Sequence, residues 1–371
     1  MTMRLNALIH FVVLTACLGV IHPANAAMEF VRIGQDGSEF ILARSGKSFR
    51  VWGVNYDHDA RDNGRLIEDY WEKEWPVVRE DFREIKELGA NVVRIHLQLG
   101  RFMTGTNSTN REALSRLRKL LKLAEELHLY IDLTGLGCYH KQDVPAWYDG
   151  LPEAGRWEVQ ANFWRAVSRV CRSSPSIFCY DLMNEPVIGG NESEGWLAGE
   201  LGGKHFVQRL TLQPNGRTSQ EIAASWVKRL TAAIRREDRK HLITVGAIPW
   251  SMIWPNAKPV LYSSEPARHL DFVSIHVYPK KGEVENALKT MAVYDLGKPL
   301  VIEEFFPLEC SVEEMDEFLQ RSRTRAEGWI SFYWGKTVRD YENAASPGMI
   351  EALMIRWLRY FQDQAPSFRL P

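Results

Sequence analysis

The run Ile177-Phe178-Cys179-Tyr180-Asp181-Leu182-Met183-Asn184-Glu185-Pro186 decides how this chain reads. It opens as an apolar, strand-like stretch and ends by delivering an acid beside an amide. A carboxyl group placed where a buried strand emerges is partly desolvated, which raises its pKa and lets it hold a proton near neutral pH. A second stretch, Pro299-Leu300-Val301-Ile302-Glu303-Glu304-Phe305-Phe306, repeats the arrangement: a short apolar run, then acid, then aromatics. Two such acids invite the question of whether one architecture brings both strand ends together.

Working outward, strand-like and helix-like segments alternate along most of the chain. Segments 30–49 read as a β-hairpin, broken at Asp36-Gly37 and Ser45-Gly46-Lys47. Strands are expected over 50–55, 91–96, 130–134, 177–184, 242–247, 272–277, 300–304 and 330–334. Helices are expected over 77–88, 111–127, 157–172, 221–236, 284–294, 312–325 and 349–361, with a weak, proline-broken crossover over 256–270. Parallel strands covered by crossover helices have few solutions, and eight such units close into an α/β (β/α)8 TIM barrel, here preceded by the hairpin. An open doubly wound sheet would want a glycine-rich phosphate loop after its first strand, and Gly53-Val54-Asn55-Tyr56 is not one. No repeat, low-complexity tract or linker is visible, so 27–371 reads as one domain.

Composition narrows the function. The 371 residues carry 46 basic and 47 acidic side chains, a net charge of −1, so no nucleic-acid partner is indicated. Thirteen tryptophans is an unusual number: many are expected in the core, and a surplus in loops would suit stacking on sugar faces. Residues 1–26 read as an export signal: Arg4, an apolar run from Leu5 to Val20, and a small-x-small cleavage site at Ala24-Asn25-Ala26. The expected location is secreted or periplasmic, with lipid anchoring through Cys17 in Leu14-Thr15-Ala16-Cys17 as the alternative and no transmembrane span. Cleavage leaves Cys138, Cys171, Cys179 and Cys310, which permit disulfides without requiring them, and Cys179 reads as a buried thiol. A monomer is expected.

Side chains at the C-terminal ends of barrel strands face the mouth. They include Asn55, Tyr56, Arg94, His96, Thr134, Asn184, Glu185, His276, Tyr278, Glu304 and Trp334. Two carboxylates converging on one mouth are what glycosidic bond cleavage uses. The sequence here resembles glycoside hydrolase family 5, the cellulase- and mannanase-like retaining glycosidases. The likeness runs from Gly53-Val54-Asn55-Tyr56 through Asn91-Val92-Val93-Arg94 and Asn184-Glu185-Pro186 to Ile302-Glu303-Glu304-Phe305 and Tyr333-Trp334.

The resemblance implies Glu185 as acid/base and Glu304 as nucleophile. It implies Arg94 and Tyr278 as holders of the nucleophile, Asn184 as partner of a sugar 2-hydroxyl, and His276 as support for the acid/base. Trp334 would floor the subsite of the cleaved sugar, and the substrate would be a β-linked polysaccharide or oligosaccharide. No cofactor or metal is called for. Strand alternation points one of Glu303 and Glu304 into the barrel and the other towards the helices. The acid preceding the aromatic matches the family, and the resemblance thereby implies Glu304 as the inward one and Glu303 as the outward one. No basic residue adjoins Glu185 in Asn184-Glu185-Pro186, which suits an acid that must arrive protonated. Two departures bear on substrate choice: Asp132-Leu133-Thr134 ends the third strand without the histidine usual in cellulases, and Phe306 stands where the family has glycine. The first leans towards mannanases.

Trp147, Trp196, Trp250 and Trp254 are candidate sugar platforms in loops. Asp57-His58-Asp59 with Asp62 looks like a metal cluster, but its spacing fits no standard site. Two readings compete with the glycosidase: a catalytically silent carbohydrate-binding barrel, and a metal-dependent hydrolase using His96, Asp57 and His276.

Overall fold

The computed structural model describes residues 27–58, 65–190, 195–344 and 348–369. The export signal, Cys17, Asp59 and Asp62 lie outside the described residues.

Fourteen strands occur among them: β1 (Val31–Ile33), β2 (Phe40–Leu42), β3 (Val51–Tyr56), β4 (Val92–Gln98), β5 (Tyr130–Gly137), β6 (Ile177–Asp181), β7 (Pro186–Val187), β8 (Leu197–Leu201), β9 (Lys204–Arg209), β10 (Leu242–Thr244), β11 (Gly246–Ala247), β12 (Val273–His276), β13 (Leu300–Phe305) and β14 (Gly328–Trp334). β3, β4, β5, β6, β10 with β11, β12, β13 and β14 are the eight parallel staves of a barrel, first to eighth. The fifth stave breaks at Val245. Its first half, β10, pairs with β6 and its second half, β11, pairs with β12, so the ring closes through a bent strand.

Helices cover the outside where the apolar period is 3.6 residues. Arg111–Leu127 starts on Asn110, whose side chain accepts from the Glu112 and Ala113 N–H groups, and stops at His128 in a left-handed conformation. Ser219–Glu237 starts on a capping box between Thr218 and Glu221. The hairpin β1–β2 is antiparallel and plugs the N-terminal end of the barrel. Phe40 packs edge-on against Phe178 and Phe272 there, in a cluster with Phe49, Val51 and Tyr130. The open, C-terminal end is left for chemistry.

The fourth stretch expected as a barrel strand, 177–184, ends as strand at Asp181. Leu182–Asn184 leave the sheet, and Glu185 follows with a left-handed backbone, φ 46°. Its N–H donates to Gly246 O at 2.9 Å across the fourth and fifth staves. A non-glycine residue held there costs on the order of 1–3 kcal/mol and clusters at functional sites. No helix among the described residues is long and apolar enough to cross a membrane.

Candidate active site

Arg94, at the middle of β4, is the centre of the mouth and is completely buried. Nη1 donates to Asn55 Oδ1 at 2.9 Å and to Glu304 Oε1 at 2.5 Å. Nη2 donates to Asp181 Oδ2 and Asn184 Oδ1, each at 2.9 Å, and lies 3.6 Å from Glu303 Oε2. A planar fork with five donors is suited to holding several oxygens at fixed angles. Tyr278 donates its hydroxyl to the other Glu304 oxygen at 2.8 Å. Burial, then the Glu304 charge, pushes the Tyr278 phenol well above its ordinary pKa, so it stays a donor.

His276 lies between the acids. Nδ1 is 2.8 Å from Glu185 Oε1 and 3.5 Å from Glu304 Oε2, while Nε2 is 3.4 Å from Glu303 Oε2. Burial pushes the imidazole down, but Glu304, Glu185 and Glu303 outweigh it and lift the pKa to about 10. The basic neighbour missing from the sequence around Glu185 is therefore supplied from β12. Local sequence could not show it, because the contact is made by barrel closure.

Glu185, His276 and Glu304 each present a ligand atom within 4.8 Å of the others. That spacing would also suit a metal ion. However, the carboxylates around His276 hold its imidazole protonated on both nitrogens, and in that form it has no lone pair to offer. The metal set His96, Asp57 and His276 is not assembled. His96 Nδ1 bonds Tyr139 Oη, Asp57 pairs with Lys204 at 2.9 Å, and His276 serves the acids. His58 pairs with Asp81.

One expectation is overturned. Alternation was to send Glu303 towards the helices, yet it is fully buried beside Arg94 and His276. A one-residue bulge is the reason. Ile275 pairs with Ile302 but His276 with Glu304, and on the other side Ile302 pairs with Trp329 but Phe305 with Ser331. The extra residue turns both glutamates inward.

Beside the pair lie two further buried acids, Asp181 and Asp132, that were not among the expected mouth residues. Asp181 accepts from Thr134 and from the Gly246 N–H, each at 2.8 Å, besides Arg94. Burial and Glu303 push Asp181 up to about 6 against the pull of Arg94. Burial, then Glu303, pushes Asp132 well above the carboxylate range, so it keeps its proton. Glu303 feels the same burial, but Arg94 and His276 prevail and hold it at about 2. The available signal was an acid inside an otherwise apolar strand, as in Tyr130-Ile131-Asp132-Leu133 and Phe178-Cys179-Tyr180-Asp181.

Gly246 makes room for this cluster. A Cβ there would come within 2.4 Å of Glu303 Oε2 and 2.8 Å of His276 Nε2. Gly246→Ala is expected to cost about 1–3 kcal/mol and to lower turnover by displacing His276. An unchanged urea midpoint together with wild-type turnover would show that the cluster has slack.

Asn184 gives its Oδ1 to Arg94 and its Nδ2 to Phe206 O at 2.9 Å. Trp334 is buried and stacks on Tyr56 with centroids 6.0 Å apart. Trp250 is half-buried and stacks on the exposed Trp254. It lines a recess of about 250 Å³ beside Pro186 and Val187. Trp147 is half-buried against Tyr148 and the helical layer. Trp196 has one ring face taken by the Arg156 guanidinium, 4.3 Å from its centroid. Cys138, Cys171, Cys179 and Cys310 are free thiols, and Cys179 is buried as expected.

The pattern of the cellulase family, glycosyl hydrolase family 5, matches residues 44–337. A mannan endo-1,4-β-mannosidase A of Podospora anserina is 22% identical over 79% of this chain and 71% of its own length. A mannan endo-1,4-β-mannosidase 2 of rice (Oryza sativa subsp. japonica) is 24% identical over 36% of this chain, and the chain spans only 31% of that protein. The exo-β-1,4-mannosidase of Opitutaceae bacterium strain TAV5 superposes with a TM-score of 0.68 at 18% identity, over 91% of this chain and 62% of that one.

Proposed function

Because the chain belongs to glycosyl hydrolase family 5, we propose that it cleaves β-1,4-linked mannose chains with retention, by a double displacement between Glu304 and Glu185. The observation that carries the reading is the spacing of the two acids. Their carboxyl oxygens approach within 4.8 Å, which fits the ~5–5.5 Å of retaining pairs and leaves no room for the water that an inverting pair holds across ~6.5–9.5 Å.

Glu304 is the nucleophile because both its oxygens are pinned, by Arg94 and Tyr278. It attacks the anomeric carbon and forms an ester as the glycosidic bond breaks. The leaving oxygen keeps the bonding pair and takes the proton of Glu185. Glu185, now a carboxylate, takes a proton from water. The water oxygen attacks the same carbon, the ester opens, and both side chains return to their starting states. Two inversions give net retention. His276 holds the Glu185 carboxyl in place from β12. Mannose is favoured by the two mannosidases that the sequence resembles and by the absence of a histidine at the end of β5. The leader sequence supports export of the enzyme to the place where such glycans occur.

A 2-deoxy-2-fluoro mannosyl fluoride should trap an ester on Glu304, visible as an added mass on the peptide that holds it, and β-mannan should release reducing sugar. A silent carbohydrate-binding barrel forms no adduct. Absence of both adduct and product on β-mannan, glucomannan and β-glucan would end the glycosidase reading.

A further inference from the structure

A hairpin inserted after the fourth stave crosses half of the barrel mouth. β8 and β9 pair antiparallel, with Leu201 opposite Lys204 across the two-residue turn Gly202-Gly203. Both glycines have positive φ, 58° and 79°, which a tight primed turn requires. β7 pairs parallel with β9 and ties the hairpin base to the residues just after Glu185.

From that base β9 runs along the rim. Gln208 Nε2 donates to Leu136 O at 2.8 Å, at the end of the third stave, and the His205 N–H donates to Tyr139 O at 2.7 Å, just after it. Phe206 O receives the Asn184 amide, and its ring meets that of Tyr139 at 5.8 Å. At the tip, Lys204 Nζ reaches Asp57 Oδ2 at 2.9 Å, at the end of the first stave. Both side chains are largely shielded, at 12% and 27% exposure, which makes the tether stronger than an ordinary surface pair. The ammonium also lies close enough to His96 to add to the burial and the Arg94 charge that keep that imidazole neutral.

Glu185 and Glu304 stand on the fourth and seventh staves. A glycan lying between them leaves the mouth either past the fifth and sixth staves or past the eighth, first, second and third. The hairpin stands across the second route from the third stave to the first, with its tip on Asp57, the residue that follows Tyr56. The first route passes Trp250 and Trp254, the latter 59% exposed, and the recess lined by Pro186, Val187 and Ala247.

Resting on the glycosidase reading above, we propose that the hairpin Leu197–Arg209, held down by the Lys204–Asp57 ion pair, closes the glycone end of the cleft and makes the enzyme cut from the non-reducing chain end. The sugar on Trp334 then has no neighbour beyond it. Only the leaving group extends, over the fifth-stave tryptophans.

The test compares short β-1,4-linked manno-oligosaccharides with free non-reducing ends against the same compounds bearing a ketal across O4 and O6 of that terminal sugar. The free compounds should be cleaved and the capped ones should react at least about a hundredfold more slowly, because the wall rejects the added bulk. Mannan viscosity should hold while reducing sugar accumulates. Lys204→Glu and Lys204→Ala should narrow the discrimination by about tenfold as the tip lifts away from Asp57. Capped and free compounds reacting alike, with the Glu304 adduct still forming, would overturn the closure and leave the glycosidase standing. No adduct and no cleavage of either compound would overturn both. A capped-to-free ratio unmoved by either Lys204 variant would remove the tether from the explanation.

Discussion

Glu304→Ala is expected to lower kcat by about 10^4-fold or more, since in the proposed double displacement Glu304 is the group that forms the covalent intermediate. The fold should not suffer. Five acids, Asp132, Asp181, Glu185, Glu303 and Glu304, crowd two cations, Arg94 and His276, in this mouth. Losing one acid relieves repulsion, so the urea midpoint should hold or rise, as is common where an active site is built at the expense of stability. Azide separates the two roles. In Glu304→Ala it attacks from the vacated face and should yield the α-glycosyl azide. In Glu185→Ala the ester still forms with a leaving group that needs no proton, and azide should then open it to the β-azide. The opposite pairing of variants and anomers would exchange the assignments, and near wild-type turnover in either variant would refute the scheme.

The parts legible in the sequence are those that depend on short-range pattern. Arg111–Leu127 has the same bounds in sequence and structure because its apolar stripe and its Asn110 cap are local. The eight staves are legible because each is an apolar run between turn residues, and the ring follows from how few ways parallel strands can be covered. The acids at 185 and 304 stand out as charges ending such runs. What was not legible depends on pairing between distant segments. The inward turn of Glu303 comes from a bulge measured against β12 and β14, which no period along β13 reveals. His276 becomes the partner of Glu185 only once the ring closes. The hairpin β8–β9 was hidden because its glycines and glutamates read as loop, and β8 is too exposed to show alternation. Trp196 looks like a sugar platform until Arg156 is found against its face.

The same crowding makes Arg94 the residue whose loss should cost the fold most. Arg94→Met keeps most of the volume but leaves Glu303, Glu304 and Asp181 without their shared cation. Removing one partner of a buried ion cluster costs about 3–5 kcal/mol, and that cost should depend on pH in a diagnostic way. In the native protein the Glu303 pKa is depressed to about 2, so its contribution is present above the unfolded value near 4.5 and is lost as pH falls towards 2. Asp181, raised to about 6, runs oppositely: it favours the fold below its unfolded value of 3.8, and that contribution is lost as pH rises through 6. Without Arg94 the burial of Glu303 is no longer outweighed by the guanidinium, and its pKa moves up. Glu303 then joins Asp181 and Asp132 in favouring acid. The variant should therefore be more stable at pH 5 than at pH 7, and its deficit against the native protein should shrink as pH falls. Thermal unfolding midpoints of both proteins across that range measure this directly. A deficit that stays constant with pH would mean that Arg94 acts by filling space rather than by neutralising the acids around it.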